Sequence, residues 1–249
     1  MKSLLALAIV LALPGLALAG PYEDLLSGAR KECRGCDLHG MSFKKADLSG
    51  VDFTGANLTA ASFHRAILKG AIFNHVNADA ANFNLTDLTG ASFVGATVTN
   101  ALFYEAQLST AKFDGANLKG ARMQHARMTR LSAVKADIDE AVLSDGRLNS
   151  ANLAGASLMR TNLLNASLGN TNFDGTVMDN ANFQSVKASG TSFKGARITL
   201  TDFYGADLHD ADFSNASVSG SRFTTANMQD VKTDGAHFTN NFMADGQVQ

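Results

Sequence analysis

The chain has 249 residues, of which 45% are hydrophobic, and a formal net charge of −2. This near-neutral balance argues against a strongly basic nucleic-acid-binding protein and equally against a strongly acidic mimic of DNA. Tryptophan is absent, and the two prolines, Pro14 and Pro21, both precede the regular part of the sequence described below.

Residues 1–19 have the features of a secretory signal peptide. Lys2 gives a positive start, an almost unbroken apolar run extends to Leu13, and Ala17 and Ala19 are small residues at the two positions that a signal peptidase reads. The apolar run is short for a membrane span, which makes an uncleaved anchor the less favoured interpretation. We therefore expect cleavage after Ala19, a periplasmic or secreted protein, and no stable membrane insertion.

Residues 20–35 are expected to form a capping helix followed by a cysteine segment. The amphipathic pattern over residues 21–33 predicts a helix whose apolar face covers the open end of the array that follows. Four residues form that face: Tyr22, Leu25, Leu26 and Ala29.

Cys33 and Cys36 form a C-x-x-C motif, which is found in redox sites, zinc sites and structural disulfides. A second cysteine pair for zinc is absent, and a position at the C-terminal end of a helix disfavours a reactive thiolate. Export to an oxidising compartment favours a disulfide that fixes the cap to the first repeat. Thiol redox chemistry is the weaker alternative.

Residues 36–245 can be read as consecutive five-residue units without a break, as in ADLSG at 46–50. The central residue is apolar in every unit except the one centred on Thr233, and the residue two before it is most often alanine. A period of five matches neither a helix nor a strand. It fits a square coil with one unit on each side, so that about twenty residues complete a coil and the central and preceding small residues point inward.

These units resemble those of the pentapeptide-repeat family, whose pattern is A-(D/N)-L-x-x. The resemblance implies an all-β solenoid, a right-handed quadrilateral β-helix, which agrees with the square coil. The length of the array predicts about ten coils, followed by a tail at residues 246–249.

Sorting the central residues by twenties predicts two phenylalanine columns on opposite sides of the coil. One side carries Phe43, Phe63, Phe83, Phe103, Phe183, Phe203 and Phe223. The opposite side carries Phe53, Phe73, Phe93, Phe113, Phe173, Phe193 and Phe213. Between Met123 and Leu168 no central residue is phenylalanine, so the middle of the rod is predicted to have an aliphatic core.

A basic run coincides with the start of this middle stretch. It consists of Lys112, Lys119, Arg122, Arg127, Arg130 and Lys135, with Asp114 as the one acidic residue among them. Arg127 and Arg147 are twenty residues apart and are predicted to stack on adjacent coils, which is unfavourable without a counter-charge. Two interpretations stay open. The run is a solvated face offset by Asp137, Asp139 and Glu140, or it is a docking patch for an anionic group.

Apolar residues on the outside of one side extend this region. They are Leu85, Leu102, Tyr104, Val142, Leu164 and Tyr204, on the side whose interior holds Phe103. Several such residues on one flat side indicate a partner-binding surface. The candidate patch comprises Leu102, Tyr104, Arg122, Arg127, Arg130, Arg147 and Leu164.

The C-terminal end has no helical pattern that would cap it. Phe238, Phe242 and Met243 precede the short tail, and they would be exposed on the last coil. Either the tail folds over this end or two chains meet there, which would give a homodimer through the C-terminal end.

The sequence offers no arrangement typical of an enzyme. Its six histidines fall in different columns, so no metal site is predicted, and neither a phosphate-binding loop nor a nucleophile elbow is present. We expect no catalytic residues, no cofactor and no nucleic-acid partner. The favoured function is a rigid scaffold that binds an unknown protein or envelope component. The alternative, by resemblance to gyrase-protecting family members, is a DNA mimic that binds a topoisomerase; ice binding is weaker still.

Overall fold

A computed structural model describes residues 21–249, which form one helix and a β-solenoid. The predicted signal peptide, residues 1–19, lies outside the described residues. Within residues 21–249, no helix combines the length and the hydropathy that crossing a membrane requires. The elements are α1 (Pro21–Leu26), β1 (Val177–Asp179), β2 (Arg197–Thr199), β3 (Ser217–Ser219) and β4 (His237–Thr239).

The register of the solenoid is twenty residues. Parallel bridges join Glu32 to Asp52 and continue at the same spacing to the pair of Arg222 and Phe242, and β1 to β4 pair in the same parallel register. Each five-residue unit therefore forms one side of a square coil. We number the four faces in chain order by their central residues: face 1 contains Phe53, face 2 Leu58, face 3 Phe63 and face 4 Leu68. On each face, the central residue of the next coil lies twenty residues further along the chain.

One unit uses all of its backbone donors, which explains the pentapeptide pattern. In the unit around Phe53, the N–H groups of Asp52, Phe53 and Gly55 donate to carbonyls on neighbouring coils at 3.0, 2.7 and 2.9 Å, and that of Ala56 closes the corner onto Phe53 O at 2.8 Å. The remaining N–H, of Thr54, donates to Asp52 Oδ1 at 2.8 Å. The Asn or Asp of the motif thus accepts the one N–H that no carbonyl reaches.

The last residue of each unit turns the corner in the left-handed region. Gly50 has φ 69°, which glycine adopts without a steric penalty. Arg130 holds the same conformation at φ 57°. A side chain at this position stands out from the edge between two faces, so the corner residues are available for contacts with two faces at once.

The interior contains the two predicted phenylalanine ladders. On face 3 the rings of Phe83 and Phe103 stack with centroids 5.0 Å apart, and on face 1 those of Phe93 and Phe113 are 4.6 Å apart. Rings on opposite faces meet edge to face, as for Phe103 and Phe113 at 6.0 Å. Between the two ladder segments the core is aliphatic, and Leu143, which stands in the Phe103 column, is 2% exposed.

The N-terminal helix is shorter than the amphipathic pattern predicted. Helix α1 ends at Leu26, and Gly28 follows with φ 74°. Leu25 is buried, and Tyr22 packs edge-on against Phe43 and donates its hydroxyl to Ser42 O at 2.8 Å. The helix therefore lies against the first coils, which is the position that a cap requires.

The coil begins one unit before residue 36. Cys33 occupies the central position of a unit at residues 31–35, is 1% exposed, and donates its N–H to Asp52 O at 2.7 Å. The expectation that both cysteines lie at the end of a helix was therefore wrong. Cys33 and Cys36 are joined, with 5.3 Å between their Cα atoms, so the bridge links the first two units of the solenoid.

The C-terminal tail folds back on the last coil. Met243 N donates to Gln247 O at 2.7 Å, and Asn241 and Gln249 exchange two backbone hydrogen bonds at 2.8 and 3.0 Å. The tail pairs with face 3, whereas β4 on face 2 has a strand neighbour on one side within the described chain. An open cavity of about 400 Å³, lined in part by Phe238 and Met243, lies at this end.

Candidate partner-binding surface

Face 3 carries the apolar part of the predicted patch. Leu102, Arg122 and Val142 occupy the same outward position on three consecutive coils and are joined by parallel bridges. Tyr104 is 42% exposed, and its ring lies edge-on to His125 at 5.5 Å. Its backbone N–H donates to Asn84 Oδ1 at 2.8 Å, so the aromatic side chain projects from a fixed backbone.

Leu164 lies on the same face, further along the rod. It is half-buried, and its N–H donates to Asn162 Oδ1 at 3.0 Å in the ordinary manner of the repeat. The structure thus places all of the predicted apolar residues on one side, although Leu164 is three coils away from Tyr104. A hydrogen bond to Glu105 raises the pKa of the Tyr104 phenol, which keeps it protonated at neutral pH.

Face 4 carries the arginines in a column. Arg127 and Arg147 are bridged directly on adjacent coils, and Arg130 stands at the corner beside Arg127. The same column continues through Ser167 to Lys187, which the sequence analysis did not include. We call Arg127, Arg130, Arg147 and Lys187 the basic strip; all four side chains are exposed.

The basic strip has no internal counter-charge. Among residues 21–249, no carboxylate lies within 4.0 Å of any of its four cations. Face 4 contains no Asp or Glu between its units at 106–110 and 186–190. The strip is therefore a one-sign surface about five coils long.

The acidic residues that were considered as an offset lie on the opposite side of the rod. Glu140 accepts from Arg160 and lies 3.6 Å from Lys119, on face 2. The hydrogen bond from Arg160 and the charge of Lys119 lower the pKa of Glu140. Asp139 is 6% exposed and accepts from Ser157 and from the N–H of Met159. Glu140 therefore offsets Lys119, one member of the basic run, whereas face 2 lies opposite the arginines of face 4.

Several patch residues replace the Asn or Asp of the repeat. Arg127 and Arg147, like Leu102 and Arg122, stand where Asp52 accepts the N–H two residues later. Arginine side chains have no acceptor, so the units of Arg122, Arg127 and Arg147 give up a local hydrogen bond of about 1 kcal/mol each. In the unit of Leu102, the N–H of Tyr104 donates to Asn84 Oδ1 instead. The same replacement occurs outside the patch, for example at Ile67, Ile72 and Arg197.

One cluster could hold a metal ion, and the sequence analysis missed it. His209 Nε2 lies 3.2 Å from Asp210 Oδ2, and Asp230 adds a third ligand atom within 4.8 Å of the others. The histidine columns alone did not reveal it, because the stacked pair is Asp210 and Asp230, twenty residues apart at one corner. Both carboxylates are exposed and His209 is already paired with one of them. Such a group could take a divalent cation with open coordination positions.

Comparison with known proteins agrees with the repeat register. The family model described as Pentapeptide repeats (8 copies) matches overlapping segments within 32–130 and 136–240, which is most of the chain. A search among curated proteins found no match.

Three solved structures illustrate the structural similarity. HetL, a pentapeptide repeat protein involved in heterocyst differentiation regulation from the cyanobacterium Nostoc sp. strain PCC 7120, is 22% identical, with a TM-score of 0.50 over 90% of this chain and 95% of that chain. Trypsin-treated QnrB1, a plasmid-mediated fluoroquinolone resistance protein, is 18% identical over 84% and 92%, with a TM-score of 0.36. A protein of the Arabidopsis thaliana thylakoid lumen is 29% identical over 47% and 70%, with a TM-score of 0.24. At 22% identity, the likeness to HetL shows the fold alone.

Proposed function

The chain belongs to the pentapeptide-repeat family, and from this premise we propose that it is a non-catalytic scaffold that binds a protein or envelope component outside the cytoplasm. Flat faces on a rod held by backbone hydrogen bonds between successive coils are already in their binding conformation. Binding therefore costs little conformational entropy, which favours recognition over chemistry.

The observation that carries the proposal is that two features lie on neighbouring coils. Tyr104 and Leu102 offer apolar contact area on face 3, and unpaired arginines stand on faces 3 and 4 beside them. Tyrosine and arginine are enriched among the residues that dominate binding energy at interfaces.

Features of the N-terminal sequence support a location outside the cytoplasm. The positive start at Lys2, the apolar run and the small residues Ala17 and Ala19 are the parts of a cleavable signal peptide. A Cys33–Cys36 bridge is stable in an oxidising compartment. Cell fractionation tests this directly: we expect the mature chain, beginning at Gly20, in the periplasm or medium, and a full-length chain in the cytoplasm would overturn export.

The binding test compares two triple variants with equal loss of charge. Arg122→Ala/Arg127→Ala/Arg147→Ala removes cations of the patch. Lys44→Ala/Lys45→Ala/Arg65→Ala removes three exposed, unpaired cations of face 3 near the N-terminal end. With immobilised protein and an extract of the periplasm or medium, we expect the first variant to lose the bound partner and the second to keep it. Equal capture by both variants would discard the patch.

We also propose that two chains meet through their C-terminal ends. The tail covers face 3, but β4 keeps a free edge on face 2, and Phe242 is 52% exposed beside it. A strand edge with adjacent apolar side chains is a template for another chain. Sedimentation of wild type and Phe242→Asp tests this: the dimer should become a monomer, and a wild-type monomer at all concentrations would contradict it.

A further inference from the structure

Three cations of the basic strip lie whole coils apart along the rod, and Ser167 occupies the position between Arg147 and Lys187. Arg127 and Arg147 are one coil apart, which is about 4.8 Å, and Lys187 lies two coils beyond Arg147. Arg130 widens the strip at the corner towards face 1. The cations therefore form a narrow line roughly 14 Å long, parallel to the rod axis.

A partner that binds to the basic strip must contact it through side chains, and those side chains must carry negative charge. The backbone N–H groups of Arg127 and Arg147 already donate to Ala106 O and Ala126 O at 2.9 and 3.0 Å, so no strand can be added to this face. Two stacked guanidinium groups repel each other unless an anion lies between or above them. Carboxylates are a good fit, because arginine binds them with two parallel hydrogen bonds.

The spacing favours a helix over an extended strand as the carrier of these carboxylates. Side chains on one face of an α-helix recur every turn, which is about 5.4 Å, whereas side chains on one face of a strand recur every 6.6–6.8 Å. The coil spacing of about 4.8 Å is closer to the helix. Over the three coils from Arg127 to Lys187 the mismatch is about 2 Å for a helix and about 6 Å for a strand.

The residues that border the basic strip favour a narrow partner with one apolar side. Glu105 and Asp145 are exposed at the corner between faces 3 and 4, where a duplex nucleic acid would bring its densely spaced phosphates against them. Beyond that corner, Leu102 and Tyr104 offer an apolar surface one coil before Arg122 and Arg127. A protein segment can satisfy both surfaces, because one flank can be acidic and the other apolar.

We infer that this edge of the rod receives an acidic amphipathic α-helix of a partner protein, with carboxylates on the basic strip and an apolar flank on Leu102 and Tyr104. The inference rests on the proposed scaffold function and names the partner's chemistry.

The test uses a labelled helical peptide with glutamates at positions i, i+4, i+7 and i+11 and leucines on the adjacent flank. A peptide of the same composition, scrambled so that the glutamates no longer align, is the control. By fluorescence anisotropy with the mature protein, we expect the aligned peptide to bind and its affinity to fall with salt. Arg127→Ala/Arg147→Ala should weaken it about tenfold, and Lys44→Ala/Lys45→Ala should leave it unchanged.

Three results would overturn the inference. The first is a scrambled peptide that binds as tightly as the aligned one. The second is displacement of the aligned peptide by anionic vesicles or heparin at equal charge. The third is binding that does not depend on Arg127 and Arg147. If the peptide fails while capture of a partner from the extract still depends on the patch, the helix is wrong and the scaffold stands. If capture is also independent of the patch, the proposed function itself fails.

Discussion

The phenylalanine-rich ends and the phenylalanine-free middle of the rod share one backbone conformation and differ in the side chains that fill the core and cover the surface. The twenty-residue register continues without change through both. At the ends, aromatic rings stack inside and cations such as Arg222 pair with acids such as Asp202 outside. In the middle, aliphatic side chains fill the core, Arg160 pairs with Glu140 on face 2, and on face 4 the exposed Arg127, Arg130 and Arg147 have no carboxylate within 4.0 Å among residues 21–249. The backbone hydrogen bonds thus determine the fold, which leaves the exterior of the middle free for recognition.

Truncating the core should distinguish the two regions most strongly. Phe103→Ala should lower the free energy of unfolding by about 3–5 kcal/mol, because a buried ring is removed and its stacking with Phe83 is lost. Leu143→Ala, in the same column but in the aliphatic middle, should cost less, about 2–3 kcal/mol. Denaturant unfolding of both variants measures this. Equal losses would mean that ring stacking adds nothing to the ladder.

Opening the disulfide should affect the N-terminal end and spare the middle. Cys33→Ser/Cys36→Ser should cost about 2 kcal/mol by the loop-entropy estimate, and it also places a hydroxyl in the core position of Cys33. We expect faster hydrogen exchange in the coils at residues 31–70 and unchanged exchange around Leu143. Thiol titration of the exported protein should find no free cysteine, and two free thiols would refute the bridge.

Removing one arginine should have opposite effects in the two regions. Arg147→Ala relieves repulsion with Arg127 and should leave stability unchanged or raise it by up to about 0.5 kcal/mol at low salt. Arg222→Ala loses the ion pair with Asp202 and the contact with the Tyr204 ring, and should lower stability by about 0.5–1 kcal/mol. Thermal melts at two salt concentrations compare them. A destabilised Arg147→Ala protein would show that the strip has a structural role.

The smallest effect is the acid dependence of the middle. The pKa of Glu140 is lowered from its ordinary value of 4.5, so its pairing with Arg160 and Lys119 stabilises the fold above that pH and is lost as the pH falls through the lowered value. Glu140→Gln should therefore be slightly less stable than the wild type at pH 7, and the difference should vanish once the pH has fallen below the lowered pKa. Unchanged acid titration of stability in Glu140→Gln would show that the exposed pair contributes nothing.

The sequence predicted the fold well because each five-residue repeat corresponds to one side of the coil. Counting by twenties placed Phe83 over Phe103 and Arg127 beside Arg147, as the structure has them. Cys33 escaped this count, because its unit, KECRG at 31–35, lacks the alanine and the large apolar centre of the motif.

Contacts that depend on where side chains reach were not predictable in the same way. Glu140 pairs with Arg160 one coil along its own face rather than with the arginines close to it in sequence. The tail pairing of Val248 with Phe242 follows no repeat rule at all. The place of Lys187 in the basic strip and the stacking of Asp210 on Asp230 were predictable, because counting every charged residue by twenties puts them in the same columns.

The central claim is that the middle of face 4 and its border with face 3 bind the partner. A photo-crosslinking residue introduced at Thr129, beside the basic strip, tests it against the same residue at Ser49, which occupies the equivalent position four coils earlier. We expect crosslinks to a partner from position 129 and none from position 49. Crosslinks from position 49 alone, or equally from both, would contradict the account.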